Sequence, residues 1–494
     1  MINKQSRRLF LHHLIVIAFL VFVAAPTALA AEVDTSKGSA PSKGMISLAE
    51  AEPEVHYAML RYGKFYGDTN TLTGGLFERS YLLGDMGGFR DTLVDYGLYL
   101  DLGVTQFLQW NVSGGNNDGS ARNNGTADYS LIFDSGKAGL WPGGAVYIHG
   151  ETSWKADQSL AKDTGSLLPP AQDAFMPVPG ESTTTLSEVF FNQGLPGGFL
   201  LTAGKANWAG LADGNTFANN ERTQFSYTGL INNPILGAFV PYTPWGAGLS
   251  WVPNKHHTFV LVAVDSAGTV KKLDFDTAFN RNTTTLGGQY QYTRLTAGLP
   301  GSFRILLGYN SKDLASFDIS ERHFIGEALG VLPTIEEDDN YTVIANFEQY
   351  LWVKGGSVEA YNKMIEKSGY PGVARHHLQP MGIGIFGRVG WAPKDRNVID
   401  QFYSFGIGGI GEYFTGRPND QWGIGYSATH ISKDLRDLLD PLVEVDEFEH
   451  AGEIFYNFEV TPAIHLTLNT QIIDSPLKST DTAYTFGSRL QLDF

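Results

Sequence analysis

Apolar and polar positions alternate with period two through most of this chain. The pattern is cleanest over residues 484–494. Tyr484, Phe486, Leu490, Leu492 and Phe494 alternate with Thr485, Gly487, Arg489, Gln491 and Asp493, and only Ser488 breaks the apolar register. Successive strand residues point to opposite faces, so this stretch is a strand with one apolar and one polar side. A soluble protein buries such an apolar face under a second layer. In a transmembrane barrel, lipid covers it. The same alternation places Leu98, Leu100, Leu102, Val104 and Leu108 opposite Asp101, Gly103, Thr105 and Gln109. It also places Ile464, Leu466, Leu468 and Ile472 opposite His465, Thr467, Asn469 and Gln471.

Sixteen stretches are predicted as strands: 97–112, 127–137, 144–154, 184–193, 198–207, 245–253, 256–265, 283–294, 302–310, 341–353, 381–391, 400–413, 421–431, 451–460, 463–473 and 483–494. The fold class this predicts is all-β, a transmembrane antiparallel β-barrel of about 16 strands. Connection lengths agree. With both ends periplasmic, the turns after even-numbered strands are short and rich in turn formers, as at Trp141-Pro142-Gly143, Leu195-Pro196-Gly197 and Thr461-Pro462. The connections after strands 3, 5, 9 and 13 are long, as extracellular loops are. Two junctions depart from this scheme: a long periplasmic stretch over 354–380, which reads as an insertion, and a short extracellular one over 392–397.

The first 96 residues lack this alternation. Lys4, Arg7 and Arg8 precede the apolar run Leu14 to Ala25, and Ala28-Leu29-Ala30 fits a cleavage site. The pattern predicts a secretory signal peptide over 1–30, since the run is short for a membrane span. Residues 31–80 are expected to form a periplasmic arm and 81–494 the barrel, entered through a short helix over 85–96. That helix rests on Phe89, Leu93 and Tyr96 at helical spacing and on Gly97 as its stop.

Composition sharpens the picture without changing it. The chain has 494 residues, no cysteine, 57 glycines and 13% aromatics. Disulfides and thiolate metal sites are excluded. Glycine above its usual share of about 7% suits a barrel with many turns. The formal charge is −17, and removal of residues 1–30 leaves 32 basic against 52 acidic side chains, or −20. That balance argues against nucleic acid as a partner.

An ordered set of motifs then resembles the carbohydrate-selective outer-membrane porins of the OprB type. The stretches are Leu83-Gly84-Asp85-Met86-Gly87-Gly88-Phe89-Arg90, Leu140-Trp141-Pro142-Gly143-Gly144, Leu195-Pro196-Gly197-Gly198, Gly204-Lys205, Gly384 to Asn397 and Gly416-Arg417-Pro418-Asn419-Asp420. Met86 stands where that family usually carries tryptophan. The resemblance implies a sixteen-stranded barrel in the bacterial outer membrane, passing mono- or oligosaccharides passively, with no cofactor and no energy input. Its other expected partners are membrane lipid and lipopolysaccharide, and the barrel-assembly machinery through the strand ending in Phe494. Homotrimer and monomer both stay open.

A sugar-selective wall needs aromatic faces beside charged groups that bond hydroxyls. The polar register supplies Asp101, Glu188, Arg304, Arg388, Glu459 and Arg489 as candidate pore-lining residues, with Lys205 beside them. The connection over 208–244 is expected to fold inward and narrow the pore, with Trp208, Glu221 and Arg222 as further candidates. Charged neighbours also pair simply to hydrate a wall, so each residue has that plainer reading. Trp110, Trp251, Tyr413 and Trp422, near strand ends, read as interfacial girdles.

Other signals carry less. His256-His257 and His376-His377 lack acidic partners at ligand spacing, so no metal site is expected from them. Gly382 to Gly387 matches G-x-G-x-x-G but lies inside a strand, which is the wrong context for a dinucleotide. Glu336-Glu337-Asp338-Asp339 reads as a solvated loop tip, with cation bridging to lipopolysaccharide as the alternative. Three functional alternatives stand beside the sugar channel: a general or ion-preferring porin, an outer-membrane barrel hydrolase and a soluble all-β sugar-binding protein. No catalytic motif supports the hydrolase.

Overall fold

The computed structural model describes residues 72–254, 256–271, 273, 283–355, 381–411, 416–417 and 419–494. The predicted signal peptide, most of the arm, the 354–380 insertion beyond residue 355, His376-His377 and Tyr413 lie outside the described residues. Sixteen strands close into one antiparallel barrel: β1 (98–115), β2 (121–134), β3 (144–154), β4 (184–195), β5 (199–205), β6 (245–254), β7 (257–265), β8 (284–296), β9 (299–310), β10 (340–353), β11 (382–391), β12 (399–410), β13 (421–431), β14 (448–461), β15 (464–474) and β16 (481–493). Each strand pairs with its chain neighbours, and β1 pairs with β16 in the register Val104↔Leu492 and Trp110↔Phe486. Closure leaves no free edge, so the ladders of the wall are completed within the barrel, as a membrane requires.

The two faces behave as the alternation predicts. In β1, Gly103, Thr105, Phe107, Gln109 and Asn111 are buried, while Leu108 and Val112 are exposed. The outer face carries Leu186, Leu201, Leu307, Phe347, Val389, Phe405, Ile424, Ile454 and Phe486, all exposed. Such a continuous apolar exterior needs lipid around it. The inner register is polar and yet buried, because loops fill much of the lumen.

Strand boundaries moved where turns compete. β2 begins six residues before its predicted start, pairing Ala121 with Trp110, and stops at Asp134. Its carboxylate then accepts hydrogen bonds from the Gly136 and Lys137 amides at 2.8 and 3.0 Å, closing a turn. The entry helix is shorter than expected, Phe89–Asp95, with Gly88 at φ 87° as its N-cap. It is fastened to the seam of the barrel. Arg90 lies 4.2 Å over the Tyr81 ring and donates to the Gly84 carbonyl at 2.8 Å and to the Phe494 carbonyl. The Leu82 amide donates to the Asp493 carbonyl at 2.8 Å.

In the acidic tetrad Glu336 is exposed and Glu337, Asp338 and Asp339 are half-buried. Glu336–Glu337 pairs antiparallel with Leu314–Ala315 in a small two-stranded sheet. Arg396 donates to the Asp338 and Asp339 carbonyls, both at 2.7 Å, and reaches Glu337 at 3.5 Å. The G-x-G-x-x-G match is the first six residues of β11, paired on both sides.

Candidate functional site

The lumen is organised by the β5–β6 connection, residues 206–244. It begins at Trp208, whose Nε1 donates to the Pro244 carbonyl at 3.1 Å, so the two ends of the loop are tied together. Between them the chain turns through three short helices, Trp208–Ala212, Thr228–Ile231 and Leu236–Phe239. It presses on the inner faces of strands far around the barrel.

Wall side chains pin it by hydrogen-bonding its backbone. Arg388 on β11 donates from Nε to both Asp213 carboxylate oxygens at 3.0 Å and from a terminal nitrogen to the Leu230 carbonyl at 3.1 Å. Asn346 on β10 donates to Asp213 at 2.6 Å. Glu453 on β14 accepts the Ser226 and Tyr227 amides at 2.9 and 2.8 Å. Arg489 on β16 donates to the Gln224 and Glu221 carbonyls at 2.6 and 2.7 Å. Thr285 on β8 donates to the Phe239 carbonyl at 2.5 Å. Charge-assisted bonds of this kind are the strong ones, and they satisfy loop amides and carbonyls that would otherwise be buried without partners.

Glycines on the wall make room for the loop's apolar side chains. A Cβ at Gly384 would stand 2.3 Å from the Phe217 ring, and one at Gly408 2.9 Å from the Phe217 Cβ. Gly423 and Gly425 open the same space for Phe225 and Leu230, and Gly246 does so for Trp208. Phe225 meets Phe386 and Phe455 edge-on, with centroids 5.5 and 4.7 Å apart. Part of the glycine excess therefore serves the lumen rather than turns.

A second loop, residues 155–183 between β3 and β4, folds inward against the first. The Thr228 amide donates to the Pro169 carbonyl at 3.1 Å, and the Gln172 amide to the Ser226 carbonyl at 3.0 Å. Glu449 on β14 joins both loops by accepting the Leu167 and Leu168 amides and, at 2.6 Å, the Tyr227 hydroxyl. Burial and the neighbouring Glu449 push the Tyr227 phenol well above its ordinary value, so it stays a donor. Burial pushes the Asp173 carboxyl of this loop up to about 7; Asp128, Glu221 and Glu151 add to the push and Arg222 opposes it.

The ten sequence candidates fall into two groups. Arg388, Lys205, Glu188 and Trp208, expected on the open lumen, are instead buried anchors. Arg388 is 1% exposed and its guanidinium is occupied by the loop. Lys205 is 0% exposed and its Nζ donates to the Ser187 and Val270 carbonyls and to Thr243 Oγ1, each at 3.1 Å. Glu188 accepts the Asn207 amide at 2.8 Å. Arg489 holds the loop as described, and Arg304 donates to Gln291 at 2.9 Å. These side chains shape the passage, and most of their polar atoms are taken up by the wall and the loop. Asp101, Glu221, Arg222 and Glu459 keep partial exposure. Arg222 crosses from the loop to β2, donating to Asp128 Oδ1 at 2.6 Å. It lies within Coulomb reach of Asp101, Asp173 and Glu221. Glu459 sits apart near the β14–β15 turn, accepting from Asn419 at 2.6 Å.

Sequence reasoning missed Asp128, His149, Glu151, Glu449 and Glu453, although all five lie on the inner register. Period two marked their face; it did not mark which of them meet a loop. The inward fold of 155–183 had no periodic signal at all.

The model of the family described as "Carbohydrate-selective porin, OprB family" matches residues 116–494. Among solved structures, the chain is similar to the high-pH structure of OprB from Pseudomonas putida at 18% identity, covering 84% of this chain and 98% of that one, with a TM-score of 0.70. Similarity to the loop L8 deletion mutant of OmpT from Vibrio cholerae is lower, at 8% identity and a TM-score of 0.45, over 80% and 99% of the two chains. No curated protein sequence matches. With a closed barrel, an apolar exterior, a lumen narrowed by its own loops and a family match over most of its length, the chain belongs to the OprB family of carbohydrate-selective porins, channels of the outer membrane.

Proposed function

We propose that sugars pass this channel down their gradient through the gap that the 206–244 loop leaves against the wall, and that Arg222, Glu221 and Asp101 are the groups they bond. The carrying observation is the set of wall-to-loop hydrogen bonds from Arg388, Glu453 and Arg489, which hold a long loop inside the lumen. A rigid passage selects by shape, because a flexible loop would pay the ordering cost each time a solute entered. Opposite charges at its margin, Arg222 beside Asp101 and Glu221, offer both donors and acceptors to a hydroxyl-rich solute.

Passage down a gradient through this arrangement needs no energy source. Export through a signal peptide removed after Ala30 fits the destination, and amino-terminal sequencing of the mature protein reads that cut. Assembly through the strand ending in Phe494, contact with lipopolysaccharide and a trimeric state belong to the same reading.

Swelling of liposomes carrying the pure protein tests selectivity. Sugars should enter faster than amino acids of equal size, and Arg222→Ala should reduce the difference. Equal rates in the unaltered protein would favour a general porin.

A further inference from the structure

One cluster on the lumen wall meets the 206–244 loop through Arg222 and Tyr242 and also sets two acids against each other. Asp128 on β2 and Glu151 on β3 stand directly opposite each other in register, both buried. Like charges in directly opposed strand positions repel. His149 lies two residues from Glu151 on the same face and is also buried. One donor atom from each of the three comes within 4.8 Å of the others.

We propose that Asp128, His149 and Glu151 bind one divalent first-row transition-metal ion of the zinc class inside the lumen. Two further observations point to a ligand here. The Asp128 Oδ2 atom is buried without a hydrogen-bond partner, although Oδ1 is engaged by Arg222 at 2.6 Å. A buried carboxylate oxygen left bare is costly, and a cation removes that cost. Second, His149 Nδ1 stands 3.2 Å from Glu188 Oε1. A carboxylate that accepts the Nδ1 proton fixes the ring so that Nε2 faces the other ligands, as outer-shell carboxylates do around metal-bound imidazoles. Nε2 in fact lies 3.1 Å from Asp128 Oδ1.

Donor chemistry sets the class of ion. One imidazole with two carboxylates suits zinc and its neighbours better than calcium or magnesium, which take all-oxygen sets. Donors at about 2.1 Å from a tetrahedral ion stand about 3.4 Å apart, so donor atoms now within 4.8 Å of one another close by up to about 1.4 Å on binding. The ion needs Nε2 without a proton, so any proton held there leaves to solvent on binding. The ion also fastens a loop, because Tyr242 of the 206–244 segment donates to Glu151 at 2.9 Å. Its place is the β2–β3 wall, beside Arg222.

The test uses the full-length protein in detergent, stripped with chelator and titrated with zinc chloride by calorimetry in two buffers of different ionisation heat. The expected result is one ion per chain, with net proton release and a raised unfolding temperature. Glu151→Gln and His149→Ala should each weaken binding at least tenfold, and Glu188→Gln about 10–100-fold. His256→Ala with His257→Ala, and separately Glu459→Gln, should bind as the unaltered protein does. No zinc uptake by the unaltered protein overturns the proposal, as does undiminished uptake by Glu151→Gln. Should His149→Ala fail to fold, the isosteric Glu151→Gln variant decides.

Discussion

Arg388 shows how one side chain carries both the lumen's architecture and its permeability. Its guanidinium and the Asp213 carboxylate are both buried and face each other at 3.0 Å. Removing one partner of such a pair strands the other charge, at a cost of about 3–5 kcal/mol. Arg388→Met should therefore lower the unfolding temperature, free the loop around Asp213 and raise single-channel conductance. Sugar block of the ion current should weaken in parallel. Asp173 gives a pH dependence with a defined sign. Its carboxyl, pushed up to about 7, is neutral below that pH and charged above it. The groups facing it are Thr126, Asp128, Glu151, Glu221 and Arg222. Cation over anion permeability should rise as pH increases through about 7, and Asp173→Asn should remove the step. Reversal potentials in a salt gradient read both.

At the scale of elements, strands and loops differed sharply in legibility. All sixteen strands could be read from sequence, because a lipid-facing residue and a lumen-facing residue must alternate whatever else the chain does. Boundaries were less legible where an Asx turn, as at Asp134, competes with one more ladder rung. The polar register located the inner wall, so Arg388 and Arg489 were placed on the correct face. Their role was not visible, since a cation that bonds a solute and one that bonds a loop carbonyl look alike in sequence. The glycines were equally ambiguous. Gly384 reads as a weak strand residue until Phe217 is seen against it. Gly384→Val should expel Phe217 and loosen the 206–244 loop, giving larger and noisier currents with unchanged far-ultraviolet circular dichroism. Gly452→Ala, whose new Cβ would meet nothing nearer than 3.9 Å, should leave conductance as it was.

For the molecule as a whole, stability and function draw on separate sets of bonds. The barrel is held by backbone ladders that close through β1 and β16, and the seam is locked by Arg90 and Leu82. The passage is held by side chains that reach inward from that frame. Loop variants should therefore change permeation while the barrel stays folded. Deleting residues 210–243 should leave heat-modifiable migration on gels intact and abolish sugar preference. The central claim is a sugar-selective passage narrowed by a pinned loop, and a planar-bilayer recording with a panel of mono- and oligosaccharides tests it most directly. Sugars should reduce the ion current of the unaltered protein in a saturable, sugar-dependent way, while size-matched amino acids leave it unchanged. Currents indifferent to every sugar in the panel would contradict the account.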